Sequence, residues 1–156
     1  ENHVDPAKGI AGGLPLGAML MREELSPALP PGTHMTTFGG NPVACAAAGV
    51  VVPLTSDPAF LESVRAMGER LTRGLREGLK GVDWVLDVRG RGLLIGAALD
   101  RPAKPYMQAL LEDGVLTTVA GGTVLRLTPP LVIKEAEIDE GVERVVAALK
   151  QDLKAS

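Results

Sequence analysis

The sequence predicts a mixed α/β chain: a first layer over residues 1 to 56, a linking helix, and a compact α+β lobe from about residue 82. Three observations carry this. Behind "DP" at 57 and 58, apolar residues recur at three- and four-residue steps, the mark of one helical face. Short aliphatic runs separated by glycine turns begin only after Gly81. An alanine-rich stretch with its own cap precedes the linking helix.

Taken in order, residues 16–21, "LGAMLM", read as a short buried strand, and the polar, glycine-rich "PPGTHMTTFGGNP" after it reads as a loop. In "NPVACAAAGVVV", Asn41 is a good N-cap and Pro42 stands in the first turn, where its missing N–H is tolerated. Ala44, Ala46, Ala47 and Ala48 predict a helix packed closely against neighbours, with Cys45 on it as a small buried hydrophobe. Pro53 is expected to end or kink that helix. The next helix starts at Asp57 and Pro58 and lines up Phe60, Leu61, Val64, Met67, Leu71, Leu75 and Leu79; Gly81 is its expected stop. It is long enough to connect two lobes.

Past Gly81 the texture changes. "WVLDV" and "GLLIGAAL" read as strands, and "PAKPYMQALLEDG" reads as a helix behind Asp100 that ends at Gly114. "VLTTV" and "TVLRL" flank "AGG" as a hairpin. A last helix carries Ile138, Val142, Val145, Val146, Leu149 and Leu153 on one face. Its acidic residues Glu135, Glu137 and Asp139 come early and Lys150 and Lys154 late, as the helix dipole favours.

Bulk properties narrow the function classes. With 46% apolar residues the chain can bury a core, and a net charge of −3 gives no reason to expect nucleic acid or an anionic membrane as partner. No run approaches the roughly 18 apolar residues of a membrane span. The opening "ENHVDP" lacks the pattern of a secretory signal, and Cys45 is the only cysteine, so a reducing cytoplasm is the expected location. A chain of 156 residues is one ordinary domain or a piece of something larger; the start at Glu1, straight into a glycine-rich stretch, points to a piece.

Several motifs fail. "GRGLLIG" from Gly90 to Gly96 lacks the spacing of a dinucleotide fingerprint and opens a strand where that motif needs a helix. No Walker lysine motif is present, and His3, His34 and Cys45 cannot make a zinc-type cluster. Three stretches survive. Lys8 in "DPAKGIAGGLPLGAML" is either a solvated loop lysine or an amine presented to a buried electrophile, with glycines allowing close approach. In "THMTTFGGNP", the hydroxyls of Thr36 and Thr37, open backbone amides and a helix start together suit a phosphate; a plain turn and N-cap would look the same. Arg126 falls inside an apolar strand, where its planar fork suits a carboxylate, unless it reaches solvent or an internal aspartate. A lysine nucleophile, a phosphate cradle and a carboxylate clamp together suggest pyridoxal-phosphate chemistry on an amino acid.

"AKGIAGGLPLGAML", "GTHMTTFGGNPVACAAA", "VRGRGLLIG" and "LRLTPPLVIKEAEID" occur in the same order in class III pyridoxal-phosphate aminotransferases, and the chain resembles their acetylornithine and ornithine branch from Ala7 to about Leu149. The resemblance implies the C-terminal part of a fold-type I enzyme. Residues 1–56 would end the cofactor-binding large domain, 57–81 would be the linking helix, and 82–156 the small C-terminal α+β domain. It implies that Lys8 is the Schiff-base lysine and proton shuttle. Thr37, with Thr36 beside it, would reach the cofactor phosphate across a homodimer interface, and Arg126 would bind a substrate carboxylate. Gly39, Gly40, Asn41 and Pro42 match the structural loop and helix start.

The implied reaction moves the terminal amino group of an N-acylated diamino acid, such as N-acetylornithine, to 2-oxoglutarate, in arginine or lysine biosynthesis. Ornithine, 4-aminobutyrate and carrier-bound aminoadipate semialdehyde chemistry use similar sites. A non-catalytic docking or dimerisation module is the competing reading. Family members are more than twice this length, and their N-terminal half supplies a glycine-rich phosphate turn, a ring-stacking aromatic and an aspartate for the pyridine nitrogen, none of which is found here. The isolated chain is therefore expected to be inactive and to associate through apolar faces. Met35 where glycine is common, Pro53 inside a helix that usually continues, and a compressed "ENHVDPAK" depart from the family pattern.

Overall fold

A computed structural model describes residues 3–4, 9–33 and 36–153. Lys8, His34, Met35 and Lys154 lie outside the described residues. The chain divides into two compact units, Glu1–Phe60 and Leu61–Ser156.

In the first unit, strand β1 (His3–Val4) pairs antiparallel with β2 (Leu20–Met21). The strand predicted over residues 16–21 is therefore only two residues long, and it is not buried, since Leu20 is 62% exposed. Pro15 and Gly17 explain the shortening: one supplies no N–H to a ladder, and the other has no side chain to pack. Before them, Gly12 donates its N–H to Gly9 and Leu14 to Ala11, each at 3.2 Å, giving two successive turns. Gly12 and Gly13 sit at φ of 61° and 110°, which their neighbours with side chains would resist. A 3-10 helix over Glu23–Ala28 follows.

Helix α1 (Pro42–Ser56) begins as predicted on Asn41, whose side chain accepts from the N–H of Val43 at 2.9 Å and of Ala44 at 3.4 Å. It does not stop at Pro53 but runs on to Ser56. The proline sits in the last turn, where the helix loses one hydrogen bond rather than its continuation. The expectation of close packing fails along most of α1: Ala44 alone is buried, and Cys45 is exposed. Val43, Val50 and Leu54 are exposed as well. A helix apolar on every side is one that other protein normally surrounds.

The second unit holds the core. Helix α2 (Pro58–Gly78) starts where predicted, with the Asp57 carboxylate accepting the N–H of Phe60 at 2.8 Å. Strands β3 (Val85–Arg91) and β4 (Leu94–Leu99) form a hairpin, helix α3 (Lys104–Glu112) follows, and β5 (Thr118–Ala120) and β6 (Val124–Leu127) make the second hairpin. Helix α4 (Glu135–Leu149) closes the unit. The sheet is antiparallel throughout in the order β3-β4-β6-β5. One sheet face, with Ile95, Ala97, Leu125 and Leu127, packs on Leu71 and Leu75 of α2, Tyr106 and Leu110 of α3, and Ile138, Val145 and Leu149 of α4. The apolar spacing along α2 and α4 is thus the core face.

Polar ties fix the helices around that core. The Trp84 indole donates to the Leu149 carbonyl at 2.8 Å, and Arg76 donates twice to the Val88 carbonyl, tying α2 to β3. Arg70 on α2 grips Asp139 on α4 through Nε and Nη2, at 2.7 and 2.6 Å, and reaches Glu135 at 3.0 Å. The hydrogen bond from Arg70 holds the Asp139 carboxyl below its ordinary value of 3.8. A lowered folded pKa contributes stability that is present above the unfolded value and is lost as pH falls through the folded one. Asp139→Asn is therefore expected to flatten the acid side of the stability–pH curve below about pH 4, with little change above it beyond the lost ion pair. Urea melts between pH 2 and 7 check this, and added salt should shrink the difference because the pair is exposed.

Candidate active site

The first unit carries an open concavity of about 1020 Å³ between residues 14–19 and the turn ahead of α1. The turn is built from small parts. Gly39 donates its N–H to the Thr36 carbonyl and Asn41 to Phe38, both at 3.3 Å, so two turns overlap. Gly40 takes φ of 69°, and a side chain on Gly39 would collide with Thr36 Cγ2. Glycine at both positions lets the Thr36 side chain fold over the turn. Thr36, Phe38, Gly39, Gly40 and Asn41 line the concavity together with Leu14 to Met19; Thr37, adjacent on the turn, is exposed but not among the lining residues.

Of the donors expected here, the helix start is already used. Pro42 has no N–H, and those of Val43 and Ala44 go to Asn41 Oδ1. The turn-and-cap alternative is therefore realised at the helix start itself, and α1 offers no free donor in its first turn. The two threonine hydroxyls, by contrast, have no hydrogen-bond partner among the described residues. A hydroxyl donor pair is chemistry that fits a phosphate oxygen, whereas the Gly39 and Asn41 amides are already taken within the turn. Sequence reasoning missed the opposite wall, residues 14–19: its second half falls in the strand expected over 16–21, although Pro15 and Gly17 signal an irregular segment.

Arg126 belongs to the second unit, and Lys8 lies outside the described residues. The arginine stands on β6 between the buried Leu125 and Leu127, so strand alternation turns it to the open face of the sheet. Its Nε donates to Thr118 Oγ1 at 3.0 Å, and among the described residues no carboxylate reaches it. This sets it apart from Arg70, Arg101 and Arg144, each of which bridges two acidic side chains. Thr118 was not singled out from the sequence. The signal was there: counting outward from the "GG" turn pairs Ala120 with Val124 and so Thr118 with Arg126.

Comparison with known proteins places these features in a family. The family model for class-III aminotransferases matches residues 4–149. "Acetylornithine aminotransferase 1" of Bordetella bronchiseptica is 41% identical over 147 residues, covering 94% of this chain and 37% of that protein. The chain thus spans just over a third of the length of the curated relatives it matches. Among solved structures, N-acetylornithine aminotransferase from Stenotrophomonas maltophilia superposes with a TM-score of 0.79 at 31% identity, over 95% of this chain and 39% of that one. Ornithine delta-aminotransferase of Plasmodium falciparum gives 0.83 at 29%, over 96% and 39%.

Proposed function

The chain belongs to the class-III aminotransferases, and from that premise we propose that it carries the lysine, phosphate and carboxylate groups of an enzyme moving the terminal amino group of N-acetylornithine, or a similar N-acylated diamino acid, to 2-oxoglutarate. The observation that carries the reading is Arg126: set between two core residues of β6, it turns to the open face of the sheet, bonds Thr118 and meets no carboxylate among the described residues. The similarity to acetylornithine aminotransferases at about 40% identity supports the choice of donor. The likeness to an ornithine aminotransferase structure keeps free ornithine as the second reading.

Pyridoxal phosphate fits the donor set, because the hydroxyls of Thr36 and Thr37, beside a glycine turn, have no hydrogen-bond partner among the described residues. In that role Thr36 and Thr37 hold the phosphate, and Lys8 holds the cofactor through its amine. When bound, the cofactor supplies an electron sink for the carbon that gives up its amino group. Lys8 Nζ would take the proton from that carbon and pass it to the cofactor within the donor half, and would run the same transfer in reverse in the acceptor half. Arg126 anchors a carboxylate of the donor or of the 2-oxo acid, so that the reacting carbon is placed by a fixed charge pair. Residues 1–56 act as the end of the cofactor-binding domain, 57–81 as the linking helix and 82–156 as the small domain. The apolar surface of α1 supports assembly as a homodimer. No single helix among the described residues is long and apolar enough to cross a membrane.

The test is to incubate the purified chain with pyridoxal phosphate, reduce it with borohydride and map the adduct by peptide mass spectrometry. A single pyridoxyl mark on Lys8, above the background on surface lysines, is the expected result. Labelling spread evenly over surface lysines would show that this chain does not by itself assemble a cofactor site around Lys8.

A further inference from the structure

Arg126 is held by one side chain and has a glycine as its strand neighbour on the other flank. In the β5–β6 register its direct partner is Thr118, whose hydroxyl accepts from Arg126 Nε at 3.0 Å. In the β4–β6 register its direct partner is Gly96, and the space over that glycine is taken by Val124, whose Cγ1 would lie 2.8 Å from a Cβ built there. Residues paired directly across antiparallel strands share a face, so Thr118, Arg126 and Gly96 form one row on the open side of the sheet.

A guanidinium offers a carboxylate two useful edges: Nε with one Nη, or the two Nη groups end-on. Arg70 shows the first mode within this chain, since it grips Asp139 through Nε and Nη2. For Arg126 that edge is closed, because Nε is engaged by Thr118. Only the end-on edge is free, and the Nε bond fixes the rotation of the guanidinium plane that decides where this edge points. Folding explains the contact poorly: a hydrogen bond between two exposed side chains adds little to a sheet, and valine is at least as good a strand former as threonine.

We propose that Thr118 is a positioning residue, which locks Arg126 so that its two Nη groups face a substrate carboxylate end-on. This rests on the reading of Arg126 as the carboxylate-binding residue. Thr118 touches no substrate; it removes the rotational freedom that a free arginine would lose on binding.

The experiment uses the chain labelled with ¹⁵N-arginine and glutarate as a dicarboxylate probe, read at the Arg126 Nε–H resonance. In the unmodified chain this proton is expected to exchange slowly with water and to shift on glutarate addition. Thr118→Val should abolish the slow exchange and weaken glutarate binding about fivefold with no change in melting temperature, and Thr118→Ser should restore both to within about twofold. Arg126→Ala should abolish binding altogether. If Arg126→Ala abolishes binding while Thr118→Val binds like the unmodified chain, the positioning role is wrong and the carboxylate reading stands. Failure of Thr118→Ser to rescue a weakened Thr118→Val would equally rule out the hydroxyl. If glutarate leaves Arg126 undisturbed, or still binds after Arg126→Ala, the carboxylate reading falls and Thr118 with it.

Discussion

Gly68→Ala is expected to be among the most damaging single-methyl changes in the second unit. Gly68 is buried on α2, and a Cβ built there would lie 2.8 Å from the Cα of Gly92 and closer still to its carbonyl. Those atoms are backbone, in the tight turn between β3 and β4, where Gly92 itself takes φ of 53°. No flexible side chain can move aside, so the helix must lift off the hairpin, and with it Leu71 and Leu75 from the core. Overpacking of this kind costs about 3 kcal/mol, which for a unit of this size lowers the melting temperature by roughly 10–20 °C. Gly141→Ala is the matched control. It lies in α4 with nothing within 4 Å of its would-be Cβ, so alanine there should stabilise by about 0.5–1 kcal/mol through helix propensity. Thermal melts followed by circular dichroism compare the two, and equal melting temperatures would show that the α2–hairpin contact is looser than described.

The same seam shows what was legible in the sequence. The apolar steps along α2 and α4 could be read because a helix that packs on one core must repeat its apolar residues with the helical period. The second hairpin could be read because Gly121 and Gly122, at φ of 56° and 79°, occupy positions that only glycine accepts easily. Even the cap at Asn41 was visible, since capping is a local interaction between a side chain and amides two and three residues away. The glycines Gly68, Gly74 and Gly78 were not read as packing residues. Their role depends on which surface comes close, here the Gly92 carbonyl, Val142 and Val146, and sequence spacing does not carry that.

The misreadings concentrate in the first unit, for one physical reason. Burial of Cys45 and of the alanines on α1 was inferred from composition, and composition states what a residue prefers, not whether a partner surface is present. The unit buries only Ala11 and Ala44 among its described apolar residues, and the chain spans just over a third of the length of its relatives. A helix can be designed by its sequence for an interior that its own unit does not supply. The candidate site follows the same division. Arg126 and its threonine are fixed by a local hairpin register, whereas the phosphate-binding role of Thr36 and Thr37 was inferred partly from a helix start whose donors Asn41 had already taken.

Lys8→Ala is expected to have the largest effect on chemistry. Gly9, Gly12 and Gly13 follow the lysine, and the turn they make is tight enough that a Cβ on Gly12 would lie 3.1 Å from Val51 Cγ2. A side chain at residue 12 would press on α1, whereas Gly9 and Gly13 have open space around them. On the proposed reading the amine has three tasks: to attack as a neutral nucleophile, to hold the cofactor and to carry a proton. Alanine removes all three functions, and arginine keeps the charge while offering no nucleophile and no accessible neutral form. Both variants should lose the borohydride-fixed mark on the peptide containing residue 8. In the form of the protein that transaminates, turnover should fall by roughly 10²–10⁴-fold from lost proton transfer alone. Proton transfer and attachment can then be separated. A small primary amine such as methylamine, added at high concentration, should restore part of the activity of Lys8→Ala, where the space is open. It should do nothing for Lys8→Arg, whose side chain fills that space. Turnover that survives in Lys8→Ala without added amine would mean that another group moves the proton, and the lysine would be left as an ordinary loop residue among glycines.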